Sequence, residues 1–189
     1  GGVERCGADR VDGALTEARA ASQHAGLAAN ASNIGGVQTH AEHTINILRG
    51  EEEDYNGNGR GENPGRGVGV NAFVAAMEDA LQAGVDAAPA GSDIEVNVES
   101  VRVCLQNSRL RSDRIVELET ETFALDNIEA AETQLIESTE LADALITGVD
   151  LNENGVVDPF ENECGLEQVS IYAVLAGRIS VVEGPLQES

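Results

Sequence analysis

The sequence predicts an all-α protein, a helical bundle of about five to six helices interrupted by two Asx- and Gly-rich loops. Three observations predict it. Apolar residues recur at helical spacing, as at Val37, Ala41, Ile45 and Leu48, which fall four, four and three positions apart. Aromatic residues are 3% of the 189 and Trp is absent, so the core falls to Ala, Val, Leu and Ile, residues that let helices approach closely. Two acid-, Asn- and Gly-rich stretches without hydrophobic period, within 50–67 and 150–161, punctuate the helical segments.

The elements follow in order. Residues 14–33 are Ala-rich with few breakers and predict a first helix, preceded by a mobile start before Ala14. Gly35-Gly36 permits a break, and residues 37–49 predict a second helix. After the first loop, Val70, Phe73, Val74, Met77 and Leu81 restore helical spacing to about Gln82. Gly84–Gly91 reads as a linker between an N-terminal half, 1–88, and a C-terminal half, 89–189, within one domain or two. Ser92 to Glu95 has the pattern of a capping box, while the alternation Ile94, Val96, Val98 also suits a short strand. Apolar spacing from Val101 to Leu145 predicts one or two long helices with Glu117, Glu119 and Glu121 towards solvent. A last helix is expected from about Glu167 to Arg178, then an apolar tail with Ile179, Val181 and Val182.

Charge narrows the functions open to the chain. Asp and Glu number 34 against 11 basic residues, all Arg, for a net charge of −23. Such a polyanion is repelled by nucleic acid and anionic membranes and attracts cations. The absence of Lys removes Schiff-base chemistry and the lysine of phosphate-binding loops. No stretch is long enough to span a bilayer. The chain starts at Gly1 without an apolar leader, which reads as a mature or trimmed product consistent with export. In an oxidising compartment two of Cys6, Cys104 and Cys164 can pair, and Cys104–Cys164 is the expected pair because both sit in segments expected to be ordered; three buried free thiols are the competing reading.

The two loops carry the clearest motif. Calcium takes six to eight hard oxygens, and a twelve-residue loop supplies them from positions 1, 3, 5, 7, 9 and 12. In DLNENGVVDPFE these are Asp150, Asn152, Asn154, the Val156 carbonyl, Asp158 and Glu161, with Gly155 at the sharp turn and Val157 as the apolar eighth residue. This stretch resembles the EF-hand family, which implies a helix entering from Glu129–Thr147 and another leaving from Pro159-Phe160. The first loop, DYNGNGRGENPG, keeps Asp54, Asn56, Asn58 and Gly59, with the Arg60 carbonyl and Glu62 as further ligands. Gly65 replaces the bidentate Glu, so this loop resembles the wider group of dockerin-like calcium loops. Asn in place of Asp lowers the carboxylate count and points to weak, constantly filled structural sites, with affinities of about 10⁻⁴–10⁻³ M.

The histidines His24, His40 and His43 all fall in the N-terminal quarter. His40 and His43 are neighbours on one helix face, and a reversal near Gly35-Gly36 brings His24 level with residue 45. All three can then converge on a transition metal or a haem iron. Glu42 points about 100° away from its neighbours and is a poor co-ligand.

No nucleophile elbow, metalloprotease or phosphate-loop motif occurs, and the chain reads as a non-enzyme. The expectation is an exported calcium-binding helical protein with a structural or assembly role, whether surface, matrix or filament subunit or adhesion module. Its partners would be further copies of itself or other surface proteins, and its place extracellular, at the cell surface or periplasmic. The alternative is a periplasmic or secreted metal- or haem-binding protein using His24, His40 and His43.

Overall fold

The first helix is built to be surrounded. Ala14, Ala18, Ala21, Ala25 and Ala28 are all fully buried and fall alternately four and three residues apart, forming a seam narrow enough for neighbouring helices to close on it. In the computed structural model, which describes residues 2–90 and 94–173, this seam belongs to α1, Gly2–Ala29. It is followed by α2 (Ile34–Arg49), α3 (Val70–Asp86), α4 (Ile94–Glu121), a 3-10 turn (Thr122–Ala124) and α5 (Ile128–Thr147). A sixth helix, α6, occupies 166–173. Among the described residues there is no strand, and Ile94, Val96 and Val98 lie in the start of α4. Helix α1 packs against α2, α3 and α5, and α4 packs against α2, α3 and α5. One apolar core draws on all six helices, from Val11 to Val169, and a smaller one gathers Ala28, Val37, Ala131 and Leu135.

Several boundaries differ from the sequence reading. The segment before Ala14 is helical from Gly2, so α1 has no free arm over that stretch. Gly35 and Gly36 do not break the chain. Asn33 takes the N-cap position and its side chain accepts from the Gly36 amide at 2.9 Å, which draws both glycines into the first turn of α2. The reversal therefore lies at 30–33. Helix α3 continues through Gly84 to Asp86, shortening the linker. The long apolar stretch resolves into α4 and α5, with Asn127 capping α5 through the Ala130 amide. Glu119, expected in solvent, is fully buried between α4 and α5. Ser92 and Asp93 of the expected capping box, the side chain of Cys6, the end of the last helix and the apolar tail lie outside the described residues.

Two close approaches fix where the first loop meets the bundle. The Phe73 ring of α3 sits where a Cβ on Gly13 would be, locking α3 onto α1. Gly50 ends α2 with a left-handed φ of 74°, and a Cβ there would lie 2.2 Å from the Val68 carbonyl, so both ends of the loop are held together. The second loop is tied differently, by the Cys104–Cys164 disulfide between α4 and its far end. Among the described residues no helix is long and apolar enough to cross a membrane.

Candidate metal centre

The α1–α2 hairpin places His24 on one helix opposite His40 and His43 on the other. The three rings surround a common point, with centroids 4.8, 5.3 and 5.6 Å apart. Nδ1 of His24 lies 3.1 Å from Nδ1 of His40 and 3.3 Å from Nδ1 of His43. Nitrogens bound about 2.0–2.1 Å from a tetrahedral ion stand about 3.3 Å from one another, so the His24–His40 and His24–His43 spacings each match a pair of ligands on one metal. Each residue offers a ring nitrogen within 4.8 Å of the others.

The electrostatics favour neutral rings. Burial pushes the His24 imidazole down to about 4, and the nearby His43 and His40 add to the shift. Burial followed by the presence of His43 lowers His40 as well. A neutral imidazole has one N–H and one lone pair, so these contacts are hydrogen bonds whose direction the tautomers set, and each ring keeps one lone pair that a metal can use.

The fourth group is a carboxylate. Oε2 of Glu62, half-exposed on the first loop, lies 3.3 Å from Nε2 of His43, whose side chain is 12% exposed. Expected as a calcium ligand, Glu62 has its carboxylate at the histidines. It is brought there by buried polar groups whose hold on the loop the sequence reading did not foresee. Glu42, fully buried, accepts the amides of Tyr55, Asn56 and Glu62 at 2.9, 3.0 and 3.3 Å. Asn46 donates to the carbonyls of Glu53 and Glu62 at 2.9 and 3.1 Å. Glu17 of α1 accepts the amides of Arg66, Val68 and Gly69. The Glu42 carboxylate organises the loop.

The two Asx-Gly loops share one local geometry. Asp54 accepts the amides of Asn58 and Gly59, Asn56 that of Asn58, and Asn58 that of Arg60. Asp150 likewise accepts from Asn154 and Gly155, Asn152 from Asn154, and Asn154 from Val156. Gly59 and Gly155 adopt matching φ values of 89° and 87°. Asp158 accepts from the Asn154 amide group at 2.8 Å. The flank departs from the EF-hand frame, because helix resumes at 166 and not at Pro159. Glu161 is exposed, whereas Glu163 is 2% exposed and sets both carboxylate oxygens 3.4 Å from the Asn152 amide nitrogen. Arg111 and Asn107 of α4 anchor this end, Arg111 donating to the carbonyls of Ala144, Asn162, Glu163 and Cys164.

In comparisons with known proteins, the chain matches no protein-family model, no curated protein and no solved structure.

Proposed function

We propose that the protein binds one divalent transition-metal ion, of the zinc, copper or nickel class, through His24, His40 and His43. The observation that carries this reading is the meeting of three imidazoles from two helices, with the His24–His40 and His24–His43 nitrogens at ligand spacing and all three within 4.8 Å. An imidazole set suits these borderline ions, and the net charge of −23 favours gathering a cation. A bare ion fits better than haem. Paired axial imidazoles stand on opposite faces of a wide macrocycle, whereas these three rings crowd one point. No reaction is assigned to the centre.

The test is a titration of chelator-stripped protein with zinc and cobalt, followed by elemental analysis. One ion per chain, lost in His40→Ala and His24→Ala proteins that remain helical by circular dichroism, is the expected result. Binding that is absent, or indifferent to both substitutions, sinks the reading.

A second reading concerns the loops. The shared hydrogen bonds around Asp54 and Asp150 support weak structural calcium sites at Asp54, Asn56 and Asn58 and at Asp150, Asn152, Asn154 and Asp158. The exposed Val149, Leu151, Val156 and Phe160 around the second loop are in keeping with a surface, matrix or filament subunit that meets copies of itself. The disulfide supports an extracellular, surface or periplasmic setting. Circular dichroism and melting temperature that are unchanged between chelator and millimolar calcium would remove calcium from the account.

A further inference from the structure

We infer that Glu62 is the positioning residue of the histidine centre: its carboxylate, fastened by the first loop, fixes the ring of His43 so that Nδ1 faces the metal. This rests on the transition-metal reading above and adds a residue outside the coordination sphere. His43 stands between two partners, with Nδ1 3.3 Å from Nδ1 of His24 and Nε2 3.3 Å from Oε2 of Glu62. The two nitrogens of one imidazole direct their lone pairs outward on diverging lines. A carboxylate on Nε2 therefore cannot coordinate the ion held at Nδ1. What it can do is accept the Nε2–H. That acceptance places the proton on Nε2, leaves the Nδ1 lone pair free, and makes the ring a stronger donor to the metal.

The same helix supplies the ring and the clamp. Glu62 donates its amide to Glu42 Oε1 at 3.3 Å, and its carbonyl accepts from Asn46 Nδ2 at 3.1 Å. Glu42 precedes His43 and Asn46 follows it by less than one turn, so any tilt of α2 carries the ring and the clamp together. Asn63 adds two bonds beside them, to the carbonyls of Asn46 and Glu51, each at 2.9 Å. Glu62 thus reaches His43 from a backbone fixed on both sides, while its carboxylate stays half-exposed to solvent. Free loop side chains do not have this support: Glu52, in the same loop, is exposed.

The experiment compares wild type with Glu62→Gln, Glu62→Asp and Glu52→Gln proteins. Zinc affinity is read by competition with a chromophoric chelator, and the histidine tautomers of the metal-free proteins by ¹⁵N NMR of the imidazoles. Loss of a carboxylate behind a ligating histidine is expected to weaken zinc binding by about 10–100-fold in Glu62→Gln, with part restored in Glu62→Asp. Glu52→Gln removes the same charge from the loop and should weaken binding by less than about threefold, since exposed charges are screened. In Glu62→Gln, His43 should also lose its Nε2–H tautomer. Affinity unchanged in Glu62→Gln, an equal loss in Glu52→Gln, or a His43 tautomer indifferent to the substitution overturns the inference. Wild-type zinc binding that ignores His40→Ala is a different result and overturns the metal reading itself.

Discussion

Glu119 makes the most quantitative claim on the fold. It lies on α4, fully buried, with the Ser138 hydroxyl of α5 donating to Oε1 and with Oε2 unpartnered in the structure. Burial pushes its carboxyl up from 4.5 to about 7, a shift that the Ser138 hydroxyl partly opposes. A carboxyl raised in the folded state is protonated in both states below pH 4.5, where its contribution to stability is fully present. That contribution is lost as pH rises through about 7. The gap corresponds to about 3 kcal/mol at 1.4 kcal/mol per tenfold change in proton affinity. Glu119→Gln removes the titration and keeps an oxygen for Ser138. Urea unfolding followed by circular dichroism should find the variant more stable than wild type by about 3 kcal/mol near pH 8, the difference shrinking below pH 7 and vanishing towards pH 4. Mutual repulsion of the many other carboxylates also changes over this range. It acts almost equally on both proteins, so the difference between them isolates Glu119. A difference independent of pH, or a variant less stable at pH 8, would refute the reasoning, because Glu119 would then be working as an ionised partner.

Two further predictions concern the second loop. The disulfide spans 60 residues, and replacing Cys104 and Cys164 together by Ala should cost about 4 kcal/mol, read as a lowered urea midpoint with a steeper slope, because the freed unfolded chain exposes more surface. If calcium raises the melting temperature, Glu163→Gln should abolish that rise at this loop while Glu161→Gln preserves it, since Glu163 is the buried carboxylate facing Asn152. A rise lost only in Glu161→Gln would restore the twelve-residue register.

Much of this arrangement was legible in the residues, and what escaped has a common cause. Helical spacing marked α2 and α3, and the Ala-rich run marked α1, because apolar period follows directly from a one-sided environment. The convergence of the histidines followed from a reversal between them, although the turn sits at Asn33 and not at the glycines. The N-cap side chain outweighed the freedom of Gly35-Gly36. The Cys104–Cys164 pairing was also foreseen. Hidden from sequence were the polar groups that work inside the protein. Glu17, Glu42 and Glu119 look like solvated charges when read singly, and their burial depends on loop amides or a hydroxyl brought from elsewhere in the chain. Glu62 escaped for the same reason: its loop position suggested calcium, and only the fold brings His43 to it.

The two halves of the chain share one plan, and the imidazoles belong to only one of them. Each half runs a long helix, an Asn-capped second helix, an Asx-Gly loop and a following helix. Glu17 and Arg111 each stand sixteen positions before the capping residue, Asn33 or Asn127, and each reaches its own half's loop backbone, one by accepting amides and the other by donating to carbonyls. By the same register His24, His40 and His43 correspond to Leu118, Gln134 and Glu137. Leu118 is simply buried, Gln134 has an unpartnered side-chain oxygen, and Glu137 pairs with Arg114. A helix pair of this kind therefore packs without imidazoles at those places. The three histidines meet through ring nitrogens where the other half has a buried leucine and an ion pair, and burial disfavours the charged forms of His24 and His40. They occur in one half alone, and there they form a group that could hold a metal ion.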